Sequence, residues 1–215
     1  MQFPGGESDR QRALLEKIAE AAHCDVDFIQ LREKNLCTRE LETLARAAVA
    51  AVRDNSRKTR LLINSRSDVA MACEADGVHL RSDDITPRDA RSIWTHSVST
   101  SATSSEQPTA RRQAGSRPVV GVSCHSAEEV GLAAPAGADF AVFAPVFEKT
   151  GSSQVHPAGL DALRAACRQN IPVLALGGVT LDNAPACVTA GAAGVAGIRL
   201  FQANEIAGVV RSLRG

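Results

Sequence analysis

Short apolar runs alternate along the chain with longer segments in which apolar residues recur every three to four positions. The short runs are typical of buried strands and the longer segments of amphipathic helices, because side chains repeat about every 2 residues in a strand and about every 3.6 in a helix. A helix is predicted over residues 9–22, before the first strand. The seven predicted strands comprise residues 28–32, 60–64, 77–80, 118–123, 139–145, 172–176 and 194–198.

Strict alternation of strands and helices implies a parallel sheet with right-handed crossovers. The predicted fold is a TIM (β/α)8 barrel in which the first of the eight strands is missing or truncated. Three explanations stay open: the true start lies upstream, residues 1–5 substitute poorly for the strand, or another chain fills the gap. An open doubly wound sheet is the structural alternative, but no G-x-G-x-x-G motif follows the early strands.

One polar segment, at about residues 97–117, interrupts the alternation, and Ser, Thr, Gln, Arg and Gly dominate it. This composition is typical of a mobile loop or a disordered insertion. Because the segment lies between a helix and the next strand, a barrel would place it on the face opposite the active site. The whole chain, residues 1–215, is otherwise predicted to form a single domain, since 44% hydrophobic residues are enough for a sizeable core.

Composition and charge exclude several classes of function. The formal net charge is +0 and no aromatic residues accompany the basic ones, so nucleic-acid binding is not expected. No run approaches the ~18 apolar residues of a membrane span, and the N-terminus lacks a signal-peptide pattern. Six scattered cysteines without a C-x-x-C pair are typical of reduced thiols. We therefore expect a cytoplasmic protein, and a homodimer stays open.

The stretch FIQLREK, residues 28–34, begins apolar and ends charged. Because a strand has a period of two, Phe28, Gln30, Arg32 and Lys34 share one face. An amide and two cations at the C-terminal end of a barrel strand fit an anionic substrate. An edge strand with solvated charges explains the same pattern, and this stretch alone does not decide between the two.

Polar or glycine residues also follow most of the other predicted strands, and a barrel would gather them on one rim. They are Asn64, Asp83, Asp84, Ser123, His125, Gly177, Gly178 and Arg199. Gly177-Gly178 permits close approach of the backbone to a ligand, and exposed N–H groups there suit a phosphate; a tight turn is the alternative. Asp84 is a candidate ligand for Mg²⁺, which prefers oxygen donors, and charge at the start of a helix is the alternative.

Ser123 and His125 are only two residues apart, and no carboxylate can be assigned to orient the histidine. A Ser/His hydrolase is therefore not expected. We interpret His125 as a general acid/base, with a structural role as the alternative. His79 lies inside a predicted strand and is interpreted as a core histidine with its hydrogen bonds satisfied.

Six stretches, in order along the chain, resemble the thiamine phosphate synthase family, including its thiazole tautomerase branch. They are FIQLREK (28–34), LLINSRSDVAMACEADGVHL (61–80), GVSCHSAEEV (121–130), GADFAVFAPVF (137–147), PVLALGGV (172–179) and AGAAGVAGI (190–198). The resemblance implies a TIM barrel. For a synthase it implies a reaction in which a pyrimidine diphosphate and a thiazole phosphate are joined with loss of pyrophosphate, assisted by Mg²⁺.

The resemblance also implies roles for the matching residues. Asp84 would bind Mg²⁺, Ser123 would line the pocket, and Gly178 would face the thiazole phosphate. The pyrimidine and its pyrophosphate would contact Gln30, Arg32, Lys34 and Asn64. The expected catalytic residues are Lys34, Ser123 and His125, and further substrate contacts are expected from Lys149, Gly177 and Arg199.

Three positions depart from the family's pattern. Ser65 follows Asn64 where the synthase has an Asn-Asp pair, so one magnesium carboxylate is gone and the Mg²⁺ expectation is weakened. Residues 147–152 do not keep the register of the synthase's Thr-x-Thr-Lys segment, and Lys149 would substitute only from a different position. Arg199 stands where a small polar residue is expected. Each lost charge contact should cost roughly 2.7–4 kcal/mol of transition-state stabilisation.

Three functions therefore remain open. One is a divergent synthase, which overall similarity favours. The second is a tautomerase-like enzyme that aromatises a thiazole carboxylate phosphate by proton transfer through His125; it needs no pyrophosphate site, and the departures favour it. The third is a non-catalytic barrel that binds a thiamine precursor or acts as a regulator.

Overall fold

The computed structural model describes residues 7–100, 117–148 and 156–215. In these residues seven parallel strands form one sheet whose order follows the chain. All seven predicted strands are therefore confirmed. The strands are β1 (Phe28–Leu31), β2 (Arg60–Asn64), β3 (Gly77–Leu80), β4 (Val119–Cys124), β5 (Phe140–Phe143), β6 (Val173–Ala175) and β7 (Gly194–Val195).

Helices connect successive strands, as expected for right-handed parallel crossovers. None of those in the described residues is long and apolar enough to cross a membrane. All six cysteines are free thiols. The helices are α1 (Glu7–His23), α2 (Thr38–Asn55), α3 (Ser67–Ala72), α4 (Pro87–Thr100), α5 (Ala127–Ala133), α6 (Gly159–Cys167), α7 (Ala184–Thr189), α8 (Ile198–Gln202) and α9 (Ile206–Arg214).

The two faces of the curled sheet differ as the sequence pattern predicts. Outward residues such as Leu31, Ile63 and Val78 are buried against the helices in the main core. Inward residues form a smaller cluster of Leu62, Phe140 and Val142, with Leu174 and Leu176 against it. The sheet is therefore the wall of a (β/α) barrel with a packed interior.

The sheet is open between β1 and β7, which do not pair in the described part of the chain. Helix α1 precedes β1 and packs against both α2 and α9. It is tied to the far side of the opening by Glu20, whose Oε1 accepts the backbone N–H of Ile206 at 2.9 Å. Within the described residues the barrel therefore has seven of its eight strands, and α1 spans the gap.

Two boundary predictions are wrong. Helix α4 continues to Thr100, so residues 97–100 belong to it; residues 101–116 of the predicted insertion lie outside the described residues. Strand β7 ends at Val195 and not at Ile198, because Gly197 is the extended N-cap residue of α8. Arg199 is accordingly the second residue of a short helix and does not end a strand.

Candidate functional site

The carboxyl ends of β1, β2 and β3 carry a hydrogen-bonded series of polar side chains. Gln30 Nε2 donates to Asn64 Oδ1 at 2.7 Å, and Asn64 Nδ2 donates to Ser65 Oγ at 2.9 Å. The Ser65 hydroxyl in turn interacts with Asp84 and lowers the pKa of that carboxyl. The structure thus brings together three residues that the sequence predicted to share a rim, Gln30, Asn64 and Asp84, although they come from three different strand ends.

Asp84 is also held by Arg81, a residue that sequence analysis did not single out. The backbone N–H of Arg81 donates to Asp84 Oδ2 at 2.7 Å, and Arg81 Nε lies 3.4 Å from Asp84 Oδ1. The same guanidinium reaches Asp83 Oδ2 at 3.1 Å. Burial raises the pKa of Asp84, but the hydrogen bond from Ser65 and the contacts of Arg81 outweigh it and hold this pKa below its ordinary value.

This arrangement does not fit a Mg²⁺ ion. The ion demands near-octahedral oxygen ligands, usually including one or two carboxylates. Ser65 offers a hydroxyl in place of a second carboxylate, and the oxygens of Asp84 and the Oδ1 atom of Asn64 already accept hydrogen bonds. No group of three or more His, Cys, Asp and Glu residues in the described ranges is arranged to hold a metal. Mg²⁺ binding by Asp84 therefore stays a prediction, and the side chains around Asp84 do not form a matching set of Mg²⁺ ligands.

His79 and Ser123 form the polar floor of the barrel interior. His79 Nε2 lies 2.9 Å from Ser123 Oγ, within hydrogen-bond distance, and the imidazole is only 5% exposed. The ring stands edge-on to Phe140, which in turn stacks on Phe28 with the ring centroids 4.7 Å apart. His79 and Ser123 therefore lie beside this aromatic pair on the inner face of the sheet.

The electrostatic environment keeps His79 neutral. Burial is the main cause that lowers its pKa from 6.5 to about 4; the positive charge of Arg32 lowers it further, and the carboxylate of Asp84 opposes both. His79 therefore lies within the electrostatic reach of two predicted site residues. The interpretation of His79 as a satisfied core histidine is correct about its burial, but it missed that the ring faces the site.

His125 lies just beyond β4 and is held by the neighbouring strand. Its Nδ1 lies 2.7 Å from the carbonyl oxygen of Ala144, which can only accept, so Nδ1 carries the proton. In the neutral ring Nε2 then bears the lone pair. The backbone N–H of His125 donates to Glu129 Oε2 at 2.7 Å. A backbone carbonyl therefore orients this histidine, where sequence analysis found no carboxylate to do so.

Cys124, between Ser123 and His125, points away from the site. It is buried on the outer face of the sheet, and burial raises the pKa of its thiol to about 12. A thiol with such a pKa is not a nucleophile at neutral pH.

The cations of the first strand follow β1 directly. Arg32 and Lys34 are both exposed. The positive charge of Arg32 is close enough to His79 to lower the pKa of the imidazole. Lys149 lies outside the described residues.

Gly177-Gly178 forms a tight turn after β6, with φ angles of +97° and +65°. A Cβ at Gly177 would lie 2.7 Å from the Cα of Pro145, and one at Gly178 would collide with the carbonyl oxygen of Glu148. The two glycines therefore have a packing role: they let the segment after β5 lie against the turn. Both the predicted phosphate contact and the tight-turn alternative are compatible with this geometry.

Comparison with known proteins places the whole barrel in one group. A family model described as thiamine monophosphate synthase matches residues 5–110 and 101–201. A putative thiamine-phosphate synthase 2 of Aquifex aeolicus is 37% identical over 188 residues, 87% of either chain. The thiamine-phosphate synthase of Syntrophomonas wolfei is 34% identical over 207 residues, which cover 94% of this chain and 88% of that one.

Solved structures agree with the sequence matches. Thiamine phosphate pyrophosphorylase from Pyrococcus furiosus superposes with a TM-score of 0.73 at 27% identity, covering 93% of this chain and 87% of that one. A 3-hexulose-6-phosphate synthase shares the fold, with a TM-score of 0.63 at 20% identity. The barrel architecture predicted from the alternation of strands and helices is therefore confirmed.

Proposed function

Since this chain belongs to the thiamine phosphate synthase family, we propose that it is an enzyme of thiamine biosynthesis that joins a pyrimidine diphosphate to a thiazole phosphate with loss of pyrophosphate. The observation that carries the proposal is the hydrogen bond between Gln30 and Asn64, beside the two cations that follow β1. It fixes two amide side chains at one end of the rim, where a heterocycle with donors and acceptors needs fixed partners.

Each part of the rim has a role in this proposal. Negative charge grows on the pyrophosphate as it leaves, so Arg32, Lys34 and Lys149 would stabilise the departing group. Ser123, held by His79 at 2.9 Å, would line the pocket beneath the reacting rings. The Gly177-Gly178 turn would receive the thiazole phosphate through its backbone, together with Arg199. No step is assigned to a metal ion.

A second reaction is favoured by the orientation of His125. A tautomerase-like enzyme would aromatise a thiazole carboxylate phosphate by moving one proton, and it needs no pyrophosphate site. His125 meets the requirement for a proton carrier, because the Ala144 carbonyl fixes one nitrogen and leaves Nε2 to exchange the proton. The loss of a carboxylate at Ser65 does not affect this reaction.

Two assays on the purified chain separate the candidate functions. The purified chain is incubated with both synthase substrates, and thiamine phosphate is measured; then aromatisation of the thiazole tautomer is followed. Product that disappears in Lys34→Ala, but persists in the matched surface variant Lys58→Ala, would support the synthase. No coupling, with aromatisation lost in His125→Ala and kept in His23→Ala, would support the tautomerase. Thiazole phosphate binding without turnover in either assay would support a non-catalytic barrel and refute both reactions.

The cellular setting follows from the same proposal. We expect the chain to act in the cytoplasm, where its six free cysteines would stay reduced. We also propose a homodimer, to be checked by sedimentation equilibrium. The small-molecule phosphates described above are its expected partners.

A further inference from the structure

We propose that Ser65 and Arg81 occupy the coordination positions of Asp84, so that this site works without a divalent cation. Asp84 would then be the acceptor that closes the turn between β3 and α4. The inference rests on the proposed function only for the identity of the phosphate ligand. The claim about the cation rests on the contacts of Asp84 alone.

The first step concerns the acceptor capacity of Asp84. An ionised carboxylate has two oxygens with about four lone-pair sites. Asp84 Oδ2 accepts the Arg81 backbone N–H at 2.7 Å, and Oδ1 faces the Arg81 guanidinium at 3.4 Å. The Ser65 hydroxyl also favours the ionised carboxylate and lowers its pKa. The side chain is only 14% exposed, so little of it is left for another ligand. A cation would have to displace these donors.

The second step concerns charge. The Arg81 guanidinium pairs with both Asp83 and Asp84, at 3.1 Å and 3.4 Å. Of the two carboxylates, Asp83 is largely exposed, so water also screens it. The partly buried carboxylate of Asp84 is therefore already compensated by a cation of the chain itself. A divalent cation placed beside Asp84 would be repelled by the positive charge of Arg81.

The third step concerns position 65. Ser65 has a φ of +59°, in the left-handed region, and its backbone N–H is fixed by the carbonyl oxygen of His79 at 2.9 Å. Asp and Asn adopt this conformation more readily than most residues. The backbone would therefore accept an aspartate at this position. A metal carboxylate is absent here because of the side chain, and not because the fold excludes it.

The fourth step concerns Asn64, the other oxygen donor nearby. Its Oδ1 accepts from Gln30 at 2.7 Å, while its Nδ2 points to Ser65. A metal ion between Asn64 and Ser65 would face the hydrogens of the Asn64 amide nitrogen. Both ends of the Asn64 amide are thus hydrogen-bonded, and a carboxylate at residue 65 would keep the contact with Nδ2 while adding charge.

Direct metal binding tests the inference on the full-length protein. Free Mn²⁺ is measured by electron paramagnetic resonance while the protein is titrated. We expect no saturable Mn²⁺ binding by the unmodified chain. The double variant Ser65→Asp/Arg81→Gln should bind Mn²⁺ at least about tenfold more tightly than Ser65→Asn/Arg81→Gln. The second variant is a matched control, because asparagine has the size and backbone preference of aspartate but lacks its charge.

Two results would overturn the inference. One is saturable Mn²⁺ binding by the unmodified chain that is lost in Asp84→Asn, a measurement that needs no redesigned variant to fold. The other is equal Mn²⁺ affinity in the aspartate and asparagine double variants, which would show that Ser65 and Arg81 are not the obstacle.

A separate binding measurement tests the proposed function. Binding of the pyrimidine diphosphate, which is expected on the Asp84 side of the rim, is measured by calorimetry with EDTA and with Mg²⁺, and the two affinities should agree within about twofold. A tenfold loss in EDTA would overturn the cation-free site while supporting the ligand. No binding in either condition, with no Mn²⁺ site, would overturn the proposed function and leave the inference about Asp84 standing.

Discussion

Mild acid should destabilise this protein through His79. The imidazole is buried beside Ser123 and has a pKa of about 4, because burial, and then Arg32, disfavour its charged form. In the unfolded chain the pKa returns to about 6.5. Between these two values the unfolded chain binds more protons than the folded one, so the free energy of unfolding falls as the pH falls.

The size of the effect follows from the two pKa values. One pKa unit of difference between the folded and unfolded states corresponds to about 1.4 kcal/mol. Protonation of His79 alone should therefore remove about 2 kcal/mol of stability between pH 7.5 and 5, and about 3 kcal/mol once the pH is below 4. Since domains of this kind are stable by about 5–15 kcal/mol, the change is large enough to measure.

Urea unfolding at pH 7.5 and pH 5.0 measures this difference. The comparison is with His79→Gln, whose amide can reach Ser123 but cannot titrate. Stopping at pH 5.0 avoids carboxylates such as Asp68, whose pKa is lowered mainly by its hydrogen bond with Arg66 and whose contribution is lost only in stronger acid. The unmodified protein should lose about 2 kcal/mol more than the variant. Equal losses in the two proteins would refute the assignment of a buried, neutral His79.

Two further predictions concern the rim. Gly178→Ala should destabilise the fold by more than Gly159→Ala, because both residues have a positive φ but only a side chain at residue 178 would collide with Glu148. The positive φ alone should cost each variant about 1–3 kcal/mol. Equal urea midpoints for the two variants would exclude the additional steric cost at residue 178. Arg32→Gln should raise the pKa of His79, since Arg32 lowers it, and an unchanged imidazole titration by NMR would show that Arg32 lies farther from the site.

The sequence predicted the strands well because their pattern is local. In β1, for example, the period of two assigned Phe28 to the inner face and Leu31 to the outer face, and the structure stacks Phe28 on Phe140 while burying Leu31 against the helices. Boundaries were less accurate where tertiary contacts decide them. Strand β7 stops early because Gly197 begins the cap of α8, which no alternation of apolar residues reveals.

The role of His79 could have been recognised from the same alternation. In GVHL the apolar Val78 and Leu80 share one face, and Gly77 and His79 share the other. A polar residue on the inner face, near the end of a barrel strand, is a site candidate. Interpreting His79 as a core histidine with its hydrogen bonds satisfied hid this signal. Arg81 carried no comparable signal, because its contacts depend on the turn that follows β3.

The sequence could nominate His125 but could not show what orients it. Its Nδ1 contact is the carbonyl of Ala144, a backbone group 19 residues away that any residue type could provide. Proton transfer depends on this contact, because it decides which nitrogen carries the proton. Loss of the Asp at position 65 is visible in the sequence, whereas the pairing of Arg81 with the Asp84 carboxylate is visible only in the fold. In the proposed cation-free site, hydrogen bonds and the chain's own cations take the place of metal coordination.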